Sequence, residues 1–131
     1  MSKNIEKAKA LFEWNKQNLV SNSRLKKEEI ARFFATDFRV EANGRSYEAN
    51  HDNYYDFLNQ FRANIRSIAY ELKEFIESKS IIVIPLSAYI IRVNGQEEHF
   101  EAILILKFDE RGKIVLWHEV YVKADDKSKI N

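Results

Sequence analysis

Apolar residues recur along this chain with two different periods, and the change from one to the other divides it. Ile5, Ala8, Leu11, Phe12 and Leu19 fall on one side of a helix with 3.6 residues per turn, which predicts an amphipathic first helix over roughly Asn4–Leu19. Ser21-Asn22-Ser23 breaks that pattern with turn-forming residues. Leu25, Ile30, Phe33 and Phe34 then mark a short second helix over about Lys26–Phe34, ended by Ala35-Thr36-Asp37. Phe38–Ala42 reads as a strand, and Asn43-Gly44 is a hairpin signal leading into Arg45–Glu48. A third helix, capped by Asn50 or Asp52, runs to about Asn64 with Tyr54, Leu58, Phe61 and Ile65 as its buried stripe and Tyr55 on its flank. Beyond it the pattern becomes that of strands: Ile68–Ile76, Ile81–Val93, Glu97–Asp109 and Lys113–Val122. Helices followed by an antiparallel meander predict an α+β fold, with the helices packed on one face of the sheet.

The last two strands are the most informative. Phe100, Ala102, Leu104, Leu106 and Phe108 alternate with His99, Glu101, Ile103, Ile105 and Lys107, so one face is wholly apolar. Pairing Asp109 with Ile114 leaves the loop Glu110–Lys113, in which Gly112 supplies a positive φ. On that register Phe108 faces Val115, Leu106 faces Trp117, Leu104 faces Glu119 and Ala102 faces Tyr121. Glu119 is thus a carboxylate in an apolar and aromatic row, where poor solvation of its charged form raises its pKa into a range suited to proton transfer. The competing reading is structural: Arg39, Arg45 or Arg92 pairs with it, or it reaches water. Pro85 has no N–H for a ladder, and a bulge is expected there.

Composition narrows the classes. The chain has 131 residues, expected to form one domain over 1–131 with a frayed polar tail at 124–131. It has no cysteine, so disulfides, thiolate metal sites and cysteine nucleophiles drop out. Lys and Arg number 21 against 20 Asp and Glu, interspersed, which leaves no electrostatic footprint for nucleic acid. The longest apolar runs, Ile81–Leu86 and Ala102–Leu106, are too short to span a bilayer, and Met1–Lys9 lacks the character of a signal peptide; a cytoplasmic location is expected. No phosphate loop, nucleophile elbow or cofactor motif is visible, so no cofactor is expected. His99 and Glu101 share one strand face, but His118 lies beside Ile105, several rungs away, and no metal is expected. His51 reads as a surface residue.

Trp14, Phe38, Tyr54, Tyr55, Leu104 and Trp117 are the candidate ligand-binding residues, and Glu119 and Tyr121 the candidate catalytic ones. Core filling is the alternative, favoured for Phe38 and Tyr54. The opposite sheet face carries Ile90, Ile103, Ile105, Val120 and Val122 among Arg92, Glu101, Lys107 and His118. An antiparallel sheet open to water on one side should be polar there, so this face predicts a homodimer interface.

Phe34-Ala35-Thr36-Asp37-Phe38-Arg39-Val40-Glu41 and Phe108-Asp109-Glu110-Arg111-Gly112-Lys113-Ile114-Val115, with the run Gly-Lys-Ile-Val-x-x-x-Glu-x-Tyr, resemble the NTF2-like superfamily, in particular its SnoaL-like and ketosteroid-isomerase-related branch. The resemblance covers roughly Ile5 to Val122. It implies a cone in which a curved sheet and helices enclose an apolar pocket, commonly dimeric through the outer sheet face. It also implies that ketosteroid isomerase chemistry in its unaltered form is absent, because the positions of the two catalytic aspartates carry Ala42 and Leu104. The inward aromatic of the last strand is kept as Tyr121. These readings lead to a pocket for a small hydrophobic or aromatic molecule, with isomerase-, cyclase- or dehydratase-type proton transfer through Glu119 and an oxyanion donor in Tyr121 or Tyr55. The alternative is a non-catalytic, dimeric protein-interaction module.

Overall fold

The computed structural model describes residues 2–124. Helix α1 (Lys3–Asn18) starts at Ser2, whose side chain accepts from the Ile5 amide at 3.0 Å. The short α2 (Lys27–Ile30) and the longer α3 (His51–Arg62) flank the hairpin of β1 (Phe34–Ala42) and β2 (Arg45–Asn50). Five strands follow: β3 (Ile65–Leu72), β4 (Ile76–Ser78), β5 (Ile81–Arg92), β6 (Glu97–Phe108) and β7 (Ile114–Lys123). All seven strands, β1 and β2 included, form one sheet in the order β2-β1-β7-β6-β5-β3, with β4 also paired to β5. The helices pack against one side of this curved, mainly antiparallel sheet, giving the α+β cone that the sequence resemblance implies. Among the described residues no helix is long and apolar enough to cross a membrane.

Local chemistry places most boundaries. The β1–β2 turn holds Asn43 at φ 51° and Gly44 at φ 85°, the two positive values of a type I′ hairpin. Asn50 caps α3 in a capping box with Asn53. Three expected boundaries and pairings need correction. The second helix ends at Ile30 rather than Phe34, because Ile114 donates to the Phe33 carbonyl at 2.8 Å and Phe34 pairs in parallel with Ile114. The expected strand Ile68–Ile76 begins at Ile65 and stops at Leu72, with Ile76–Ser78 forming a separate strand. Near the last turn Phe108 pairs with Ile114 rather than Val115; a bulge at Val115 restores the expected register from Lys107 onward, with Leu106, Leu104 and Ala102 opposite Trp117, Glu119 and Tyr121.

Pro85 does not interrupt the β5–β6 ladder, which runs unshifted from Ile81 to Ile91. The Pro85 carbonyl accepts from Lys73 N at 2.9 Å, and because the N–H and C=O of a strand residue point to the same side, its missing donor faces that same edge, away from β6. There β3 has ended at Leu72 and β4 has not begun. Because no residue is inserted, Ile82, Ile84, Leu86 and Ile90 all stay inward and buried. Ile90 therefore lies on the concave face, contrary to the outer-face expectation, and Arg92 follows it.

Beside β7, the pairing of β1 shifts between Phe34 and Arg39. His51 Nε2 sits 3.1 Å and 2.9 Å from the carbonyl oxygens of Phe34 and Ala35 in that stretch. His51 is thus a half-buried donor to backbone, not a plain surface residue.

Candidate functional site

Helices α1 and α3 and the concave face of the sheet enclose a cavity of about 360 Å³. Its walls are mostly apolar: Phe12 from α1 and Leu19 at its C-cap, Leu58 and Phe61 from α3, and Ile68, Leu86 and Ile90 from the sheet. The polar groups that reach it are Asn15, Tyr54, Tyr70, Arg92, Trp117, Glu119 and Tyr121.

Glu119 occupies the centre of the sheet. Its neighbours across the two ladders are Leu104 on β6 and Ala42 on β1, neither of which offers a charge. Alternation along β7 puts Trp117, Glu119 and Tyr121 on one face, and the Trp117 indole approaches Glu119 Oε1 at 3.4 Å. Loss of solvation pushes the Glu119 pKa up, and the contact from Trp117 opposes this more weakly. The three arginines weighed as partners do not take it. Arg39 bonds Glu48 at 2.6 Å and Glu41 at 3.3 Å, and Arg92 pairs with Glu98 at 2.6 Å and donates to Asn64 at 2.9 Å. Among the described residues no Lys or Arg, Arg45 included, forms an ion pair with Glu119. Its charge in turn reaches Tyr54 and Tyr70: burial first, and Glu119 among the further causes, hold both phenols far above their ordinary range.

Of the residues singled out in the sequence, Glu119, Trp117, Tyr121 and Tyr54 come together at this cavity. Tyr121 stands at its mouth, 41% exposed, with its backbone tied to the Asn43 side chain at 2.8 and 3.1 Å. The others do not line it. Trp14 is buried between α1 and α2, its ring 5.9 Å from Phe33 and its indole donating to Glu29 at 2.9 Å. Phe38 is core, with ring centroids 4.6 Å from Phe34 and 5.1 Å from Tyr54. Leu104 is fully buried behind the wall, and Tyr55 is half-buried outside it. Sequence reasoning missed Phe12, Asn15, Phe57, Phe61, Tyr70, Arg92 and Phe100. Asn15 had a signal, a polar residue on the apolar stripe of α1 between Phe12 and Leu19. Tyr70 had one too, on the same side of β3 as Ile68.

On the outer face, Glu101 is surrounded by donors. Lys73 reaches it at 2.8 Å, Ser87 donates at 2.5 Å and His99 Nε2 contacts the same carboxylate. These partners, Lys73 foremost, hold its pKa down at about 2. The His99 ring also stacks on Tyr89 at 4.7 Å. His118 pairs with Glu41 at 3.4 Å, away from His99. No three His, Asp or Glu side chains among the described residues come together as a metal site.

This fold recurs among solved structures. A protein of unknown function from Burkholderia pseudomallei K96243, itself NTF2-like, superposes with a TM-score of 0.72 at 20% identity, over 91% of this chain and 90% of that one. An LEH-like epoxide hydrolase of M. tuberculosis matches at 0.67 and 12% identity, over 91% and 82%. SalBIII, an epoxide hydrolase/cyclase-like enzyme of pyran ring formation in salinomycin, matches at 0.70 and 13%, over 92% and 91%. At such identities the likeness is one of fold. No curated protein matches the chain. Residues 10–117 match the model of the SnoaL-like domain, and the chain belongs to that family.

Proposed function

We propose that the cavity binds a small, largely apolar molecule and that Glu119 moves a proton on it. The observation that carries this reading is a carboxyl with no cation partner among the described residues, raised in pKa by lost solvation, at the wall of an apolar chamber. A volume of about 360 Å³ suits a ligand of one or two fused rings. Ionised Glu119 accepts a proton from a carbon beside a carbonyl, and the C–H electron pair moves onto the oxygen as an enolate. The protonated carboxyl then returns the proton to another atom, so no further reactant is consumed. Isomerisation, ring closure and dehydration all begin with such a step. Tyr121 meets the ligand from the mouth. The epoxide hydrolase and the cyclase-like enzyme named above are examples of chemistry hosted on the same fold; the assignment here rests on Glu119.

The test is exchange of the α-protons of 2-tetralone in D2O, followed by NMR. The wild type is expected to accelerate exchange, and Glu119→Gln to lose this about 100-fold or more while keeping its affinity for the ketone. Exchange unaffected by Glu119→Gln would remove Glu119 from catalysis. No acceleration by the wild type would leave a binding protein.

We also infer that the outer face pairs with a second copy of the chain. Ile103, Val120 and Val122 are 48%, 59% and 62% exposed there, and Ile103 lies directly across from Val120. Ile105 adjoins them, opposite Val83. Light scattering should give a dimer mass for the wild type and a monomer mass for Val120→Asp. A monomeric wild type would rule the pairing out and leave the face to a different protein.

A further inference from the structure

We infer that the mouth of the cavity docks on the surface of an anionic lipid bilayer, its cations meeting the headgroups and its aromatic side chains entering the interface. This goes beyond the reading of Glu119 as a base and does not depend on it. Peripheral contact of this kind needs no membrane-spanning helix.

The mouth lies where five segments of the chain meet, and hydrogen bonds link them around it. Ser21 N donates to the Ile65 carbonyl at 2.7 Å, and Arg62 Nη1 reaches the carbonyls of Val20 and Ser23 at 2.9 and 3.1 Å. Val93 N donates to the Asn64 carbonyl at 2.9 Å, Arg92 and Lys123 share Glu98, and Tyr121 is held by Asn43. These segments, 20–24, 43–45, 61–66, 92–98 and 121–124, carry Arg24, Arg45, Arg62, Arg66, Arg92 and Lys123 against Glu97 and Glu98. The whole chain has a formal net charge of only +1, so the fold gathers at one end cations that the sequence intersperses. Arg62 bonds neutral carbonyls, and one carboxylate serves both Arg92 and Lys123, which leaves this end positive.

The cations are spread around the opening rather than focused on one point. Arg45 opens β2, Lys123 closes β7, Arg92 closes β5 and Arg66 is the second residue of β3. In the order of the sheet, with strands about 4.8 Å apart, that row extends about 24 Å, too wide for one small anion. Arg45 lies across from Ala42 and Lys123 across from Phe100, both residues of the cavity wall. Inside the ring, Phe57 and Phe61 are 44% and 37% exposed while lining the cavity, with their rings 6.2 Å apart, and Tyr121 joins them at the mouth. Exposed aromatic side chains among cations suit the interface of an anionic membrane. A folded acidic partner would have to plug the opening to bury those rings, whereas a fluid bilayer follows its contour. The cavity then opens directly onto lipid, which gives an apolar ligand a route that avoids water.

The experiment is cosedimentation of the full chain with vesicles of phosphatidylcholine, alone or mixed with phosphatidylglycerol. Binding is expected on the mixed vesicles at about 0.1 M salt, falling about tenfold or more on the neutral ones or at about 1 M salt. Arg45 is exposed, and Arg45→Glu should weaken binding about tenfold. Lys3→Glu makes the same change of charge in the first turn of α1, at the far end of that helix from the mouth, and should alter binding less than about twofold. Phe61→Gln should weaken it about fivefold. Circular dichroism melts report that each variant is folded. Wild-type protein left in the supernatant, equal losses from Arg45→Glu and Lys3→Glu, or full binding by Phe61→Gln would each overturn the docking. A salt-sensitive complex with soluble polyglutamate in place of vesicle binding would also overturn it, and would give the ring of cations to an acidic protein.

Discussion

Glu101 and Glu119 stand on neighbouring strands of one sheet, on opposite faces, and their surroundings drive them in opposite directions. Glu101 has a lysine, a serine and a histidine directed at it and a pKa held at about 2. Glu119 has apolar residues on both flanking strands, one long indole contact, and a pKa raised by lost solvation. A carboxylate with its donors supplied is committed to staying ionised and is stable in that state. One left without them is poised to take up and give back a proton. The same residue type thus serves as a fixed surface anion on one face and as a candidate base on the other. Ala42 and Leu104, which the sequence resemblance aligns with the two aspartates of ketosteroid isomerases, are the residues that flank Glu119 across the two ladders.

The strongest way to break the contrast is to open the apolar wall. Leu104 is fully buried and lies across from Glu119, so Leu104→Ala should cost about 2–5 kcal/mol of stability in denaturant titration. The enlarged space joins the cavity and admits water, so the Glu119 pKa should fall back towards its ordinary value in the same variant.

A second test uses pH. Since the folded-state pKa of Glu119 lies above its unfolded value of about 4.5, the native state binds the proton more tightly. The resulting stability is fully present below pH 4.5 and is lost as pH rises through the folded pKa. Glu119→Gln should lack this fall, and so should gain on the wild type as pH increases across that window; melting temperatures measured against pH would check it. A parallel course for the two proteins would mean that Glu119 is solvated in the folded state.

The smallest effect is expected on the outer face. Glu101 has a depressed pKa, so its contribution is present above the unfolded value of about 4.5 and disappears as pH falls towards 2. Both Glu101 and Lys73 are more than one-third exposed, and water screens the pair. Glu101→Gln should therefore cost no more than about 1 kcal/mol at neutral pH, with α-proton exchange unaltered.

Much of this arrangement was legible in the sequence because strand alternation is a local property. The pairing of Leu104 with Glu119 follows from counting residues back from Gly112, and the bulge at Val115 changed only the first pair beside the turn. Features that depend on long-range contacts were not legible. The parallel pairing of β1 with β7 recruits Phe34 into a strand, overriding its place in an apolar helical stripe. Trp14 lies off the middle of the α1 stripe, which fits a cavity edge as well as the contact it makes with Glu29 and Phe33. Ile90, expected on the outer face, lies inward because alternation runs unbroken through Pro85 from Ile82 to Ile90; the gap between β3 and β4 accommodates the missing N–H, so no bulge forms. Asn15 and Tyr70 each break a pattern, but their meeting depends on how α1 packs across β3.

The measurement that tests the account most directly is a carboxyl carbon NMR titration of Glu101 and Glu119 in one sample. The account predicts a midpoint near 2 for Glu101 and one above 4.5 for Glu119, with the Glu119 signal also moving when 2-tetralone binds. A Glu119 midpoint at or below 4.5 would mean that its charge is already compensated in the folded protein, and would contradict its role as the base of this cavity.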